Sequence, residues 1–133
     1  MKNYQEHGLS HLNIYQKSLD IFNLSRRIAT YISDDKSMLS MYSSVERSDR
    51  YADSLVMNAF GLVPKIVETE SEENPILKLK YAKSLRLFID VIYEDCLKLE
   101  RTRMHGKDFV RMLRKELILL RRMHRRYVKS LLV

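Results

Sequence analysis

Residues 74–99 read NPILKLKYAKSLRLFIDVIYEDCLKL, and this stretch decides the fold. Asn74 followed by Pro75 is a strong helix start. An asparagine side chain caps the exposed amides, and proline suits the first helical position, where its missing N–H costs nothing. From there Ala82, Leu85, Ile89, Ile92, Cys96 and Leu99 recur at an unbroken 3-4-3-4-3 spacing, which puts them on one helical face. His105-Gly106 ends that helix. After Lys107, Asp108 can cap another, whose seam is Val110, Leu113, Leu117, Leu120, His124, Tyr127 and Leu131. Both seams keep heptad spacing, so the two helices should pack at the shallow angle of a bundle.

Two further periodic segments lie upstream. One runs from about Ser10 to Ile32, with Leu12, Tyr15, Leu19, Phe22 and Ala29 as its main apolar row and Ile14, Ile21 and Ile28 as a second. The polar run Ser33-Asp34-Asp35-Lys36-Ser37 reads as a break, and Met38 to Ser44 fits either a short helix or a loop. The next helix is expected from roughly Ser48 to Thr69, with Ala52, Leu55, Ala59, Leu62 and Ile66 on one face. Pro64 lies inside it, removes a backbone hydrogen bond and predicts a kink near Phe60–Pro64. The expected architecture is therefore all-α: an antiparallel up-and-down four-helix bundle with a kinked second helix.

A chain of 133 residues has room for one such domain, 1–133, with residues 1–9 expected to be flexible. Three Gly and two Pro are too few for the turns of a sandwich or barrel. No uncharged stretch approaches the ~20 apolar residues of a membrane span, and the N-terminus has no apolar signal-peptide core. A cytoplasmic protein is expected. Cys96, the single cysteine, excludes an internal disulfide and reads as a small buried hydrophobe.

The charge is local. Residues 101–133 carry eleven Lys and Arg against Asp108 and Glu116, a balance of +9 within a chain of net +7. On a helical wheel Arg111, Arg114, Lys115, Arg121, Arg122, Arg125 and Lys129 fall within roughly 100° along ~27 Å of helix, and only Arg126 falls clearly outside that sector. Cations in the last turn complement a helix dipole, but that accounts for two or three of them. The longer stripe suits a phosphodiester backbone, and Arg126 is counted with it as a candidate nucleic-acid contact. A solvated face, an acidic protein partner or an anionic membrane are the competing readings. The same helix is apolar outside its seam, at Met112, Ile118, Leu119, Met123, Val128 and Leu132. These are candidate contacts of a homo-oligomer, or else a widened intramolecular face.

Little points to catalysis, a metal or a cofactor. His7 and His11 have a ligand-like i, i+4 spacing but lack a surrounding zinc motif. His124 falls on a seam, where a core or interface histidine, neutral among Arg121, Arg122 and Arg125, is expected. Arg101 and His105 miss the Arg–His spacing of small helical ribonucleases from toxin systems. Asp90 and Glu94 sit among Arg86 and Lys98, as in ordinary helix-surface pairing. No glycine-rich phosphate loop or nucleophile elbow occurs.

Several short segments carry a resemblance: Leu12-Asn13-Ile14-Tyr15-Gln16-Lys17-Ser18-Leu19, Val63-Pro64 within a helix, Lys80-Tyr81-Ala82-Lys83-Ser84-Leu85, and Ile92-Tyr93-Glu94-Asp95-Cys96-Leu97. Together they resemble the bacterial four-helix-bundle proteins encoded in 23S rRNA intervening sequences. That family usually continues its Ser-Ile-Pro with Ala-Asn-Ile-Ala-Glu-Gly, whereas only Val63, Pro64 and Val67 match here. The departure leaves room for a sister group, the accessory variability proteins of diversity-generating retroelements. This resemblance implies a barrel-shaped homopentamer that binds nucleic acid and a reverse transcriptase. The expected function is a non-enzymatic, basic, homo-oligomeric nucleic-acid-binding accessory protein, for RNA or DNA. The alternative is an intervening-sequence-type bundle acting through protein contacts.

Overall fold

A computed structural model describes residues 13–39, 44–102 and 106–132. They form four helices: α1 (Asn13–Leu39), α2 (Ser44–Ser71), α3 (Pro75–Glu100) and α4 (Lys107–Leu131). Each packs on its neighbours in chain order and α4 returns to α1, so α2 and α4 stand diagonally opposite, as do α1 and α3. Among the described residues there is no strand, and no helix is long and apolar enough to cross a membrane.

The start of α3 follows from its sequence. Asn74 Oδ1 accepts from the amides of Ile76 (2.9 Å) and Leu77 (3.2 Å), and Pro75 opens the helix. At its other end the Thr102 hydroxyl donates to the Leu99 carbonyl at 2.8 Å. The cap of α4 differs from expectation. Gly106, not Asp108, is the N-cap, and it supplies no side-chain bond. Its φ of 79° favours glycine, and an added Cβ would lie 3.0 Å from Cγ of Tyr31, whose ring stacks on Phe109 at 5.0 Å. Asp108 lies in the first turn instead, where it favours the dipole and accepts from Arg111 Nη1 at 2.9 Å.

The core consists of the expected α2 and α3 rows and, from α4, Val110 through Tyr127; Leu131 is only half-buried. In α1 the two rows exchange roles. Ile14, Ile21, Ile28 and Ile32 are buried, whereas Tyr15, Leu19, Phe22 and Ala29 are half-buried on its flank. Buried Ser18 and Ser25 complete the inner row, and the Ser25 hydroxyl is satisfied by the Ile21 carbonyl at 2.7 Å. Counting apolar positions ranked this row second because two of its members are polar.

Helix α1 also continues to Leu39 through the expected break at Ser33–Ser37. That run contains neither Gly nor Pro, and polar residues cost a helix only tenths of a kcal/mol each. Helix α2 starts earlier than expected, at Ser44, and is assigned continuously through Pro64, which leaves the Phe60 carbonyl without an amide donor. Gly61 sets the approach of α2 to α3, since a Cβ there would come within 2.8 Å of the Phe88 ring. Leu12, His7, His11, His105 and the expected flexible residues 1–9 lie outside the described residues.

Candidate nucleic-acid interface

The basic stripe of α4 divides into two parts. Toward α3, cations meet carboxylates. Arg114 donates through Nε (2.8 Å) and Nη2 (3.2 Å) to both oxygens of Glu100. Arg121 donates to Asp90 at 3.2 Å, and its guanidinium lies 4.2 Å from the centroid of the Tyr93 ring. Asp90 also accepts from Arg86 at 2.8 Å, the helix-surface pairing expected at i, i+4. Arg111 is shared between Asp108 at 2.9 Å and Glu100 at 3.9 Å. These three arginines fasten α4 to α3 or to its own first turn, and their charge is largely compensated.

On the outer crest the situation reverses. Arg122, Arg125, Arg126 and Lys129 are all exposed and line one shallow depression. Among the described residues none of them, nor exposed Lys115, has a carboxylate within 4.0 Å. Arg126 belongs to this group although the wheel puts it outside the sector. It also lines a second depression with Asn13, Ile14 and Tyr127, where α4 meets the start of α1. The uncompensated charge is thus concentrated in the C-terminal half of α4. A sequence pattern could not separate the two parts, because Glu100 and Asp90 reach Arg114 and Arg121 from another helix.

The remaining candidates are placed as follows. Met112, Leu119 and Leu132 are exposed, Ile118 is half-buried, and Met123 and Val128 pack against the chain's own core. At about 100° per residue the six divide between two flanks of the helix, Met112, Leu119 and Met123 on the α1 side and Ile118, Val128 and Leu132 on the α3 side. His124 is buried, and its Nε2–H donates to the Ala82 carbonyl at 2.8 Å, which fixes the neutral tautomer. Burial is the main cause of its lowered pKa. The charges of Arg86 and Arg125 act in the same direction, against the Ala82 carbonyl and Asp90. Cys96 is fully buried, and burial together with Glu100 and Asp95 pushes its thiol up to about 12.

The burial of Asp95 escaped the sequence reading. This side chain is buried beside Ser54, and burial raises its pKa, opposed by the Ser54 hydrogen bond and the charge of Lys98. The adjacent pair Arg26-Arg27 escaped it too. With Asn23 and Thr30 it lines a shallow depression on the outer face of α1. The i, i+3, i+4, i+7 recurrence of polar residues was the available signal. Among the described residues no three His, Cys, Asp or Glu side chains gather in a way that could hold a metal.

Fold and site together define an antiparallel helical bundle with one uncompensated cationic crest. No protein-family model, curated protein or solved structure matches the chain.

Proposed function

We propose that this protein binds nucleic acid without catalysing a reaction, using the exposed crest of α4. The observation that carries this reading is the set Arg122, Arg125, Arg126 and Lys129 around one depression, without a carboxylate partner among the described residues. Holding four like charges together costs the folded chain repulsion, and a polyanion relieves it while releasing counterions. Changing Arg122, Arg125 and Arg126 together to Glu should abolish binding to structured RNA or duplex DNA, read by fluorescence anisotropy, with helicity unchanged. Undiminished affinity would remove this reading.

Self-association belongs to the same proposal, and a specific observation favours a surface away from α4. Met57 (72% exposed), Leu87 (69%) and Val91 (40%) are exposed on α2 and α3, the helices that Gly61 and Phe88 bring together, and Phe60 (62%) is exposed on the other flank of α2, where its ring meets Phe22 of α1. Residues 54–64 contain no charge at all. An apolar patch of this kind on α2 and α3 marks a protein contact. Because α2 stands diagonally opposite α4, copies joined there keep their cationic crests apart. Five copies and a reverse transcriptase partner are what the resemblance to accessory variability proteins implies. Co-purification with a co-expressed reverse transcriptase of a diversity-generating retroelement tests the second.

A further inference from the structure

We propose that Arg26 and Arg27 on α1 form a second phosphate-binding cluster, so that the α1–α4 side of the bundle straddles a duplex, one cluster on each backbone. The inference rests on the nucleic-acid reading of α4 and goes beyond it by naming a second contact and a double-stranded ligand.

Both arginines are exposed, and they share a depression with the Asn23 amide and the Thr30 hydroxyl. Neither guanidinium has a carboxylate within 4.0 Å among the described residues; Arg26 rests 5.8 Å from the centroid of the Phe22 ring. The position along the bundle follows from two fixed points. Tyr31 stacks on Phe109, and Ile14 shares a depression with Tyr127, so α1 runs antiparallel beside α4. Arg27, one turn before Tyr31, is then level with about residue 113 of α4. The crest centres near residue 125, about a dozen residues or ~18 Å further along. Combined at right angles with the ~8–10 Å between packed helix axes, this puts the helix backbones that carry the two clusters about 20 Å apart. One phosphate cannot bridge that distance. It is close to the span from backbone to backbone across a duplex major groove, itself ~12 Å wide between its walls. Arg126 carries positive charge from the crest toward α1, since it lines the depressions on both its sides. Among the described side chains of α1, exposed Asp20 is the acid on its outer surface, and it defines a control.

The experiment compares a duplex with a single strand carrying the same number of phosphates, across a salt series, for the wild type and two charge reversals. Arg26→Glu with Arg27→Glu should weaken duplex binding at least tenfold and flatten its log–log salt slope by about two units, with single-strand binding changed less than threefold. Asp20→Asn should tighten duplex binding two- to threefold. Reversal of Arg122, Arg125 and Arg126 should weaken both ligands. If the α1 double variant binds duplex like the wild type while the α4 variant does not, the second cluster is refuted and the reading of α4 stands. If neither variant loses affinity, both fall. Circular dichroism of each variant keeps a folding defect from being taken for either result.

Discussion

Arg114 of α4 holds both oxygens of Glu100 on α3, so this cation of the basic stripe belongs to the helix–helix seam and not to the exposed surface. The pair is only partly exposed, at 29% and 17% of the side chains. Arg114→Ala should therefore cost roughly 1–2 kcal/mol of stability, between an exposed and a buried ion pair, and change nucleic-acid affinity little. Glu100→Gln frees the guanidinium for phosphate. It should raise affinity a few-fold and steepen the salt slope by about one unit, measured by anisotropy. A strong loss of binding in Arg114→Ala would place this residue in the interface after all.

Asp95 predicts a stabilising substitution. Its pKa is raised above the usual 3.8, chiefly by burial, so the folded state holds this proton more tightly than the unfolded chain. Stability then declines as pH rises past 3.8 and through the folded value, and it stays lower at neutral pH. Asp95→Asn keeps a partner for Ser54 without the charge. It should gain about 1 kcal/mol at neutral pH, and the gain should vanish near pH 3. Urea unfolding at the two pH values checks this.

His124 acts in the opposite sense. Its lowered pKa means the fold holds the neutral ring, so stability is lost as pH falls below the ordinary 6.5 toward the folded value. Protonation would put a charge against Arg86 and Arg125, with only Asp90 compensating, and leave a buried Nδ1–H without an acceptor among the described residues. His124→Gln retains a donor for Ala82 and should flatten the thermal stability profile between about pH 6.5 and 5. An unchanged profile would mean that the loss comes from other groups.

Assembly should be visible by light scattering as a species well above 15.9 kDa. Met57→Glu combined with Leu87→Glu should return it to the monomer, because both side chains are largely exposed. Met112→Glu with Leu119→Glu should leave the assembly intact. The reverse result would move the interface to α4.

The legibility of the sequence varied with how local each cause is. The α3 start and the rows of α2, α3 and α4 depend on spacing and on one cap, and they were read nearly as they stand. The inner row of α1 was read only as the second of two, because Ser18 and Ser25 interrupt a buried face whose identity α2 and α4 decide. The α4 cap failed for a related reason: Gly106 is held by Tyr31 from a different helix. The site followed the same rule. The cationic helix was plain in the composition, but Glu100 and Asp90 decide from α3 which cations remain uncompensated. The pairing of Arg126 with Arg122, Arg125 and Lys129 likewise needs side-chain placement.

The salt dependence of wild-type binding tests the central claim most directly. With the four cations of the α4 crest contacting phosphates, the logarithm of affinity for a duplex should fall linearly with the logarithm of salt, with a slope of about −4 or steeper, at ~0.9 per contact on B-form DNA. Reversing Arg122, Arg125 and Arg126 should abolish that binding. A wild-type slope near zero, or no measurable binding at low salt, would contradict the account.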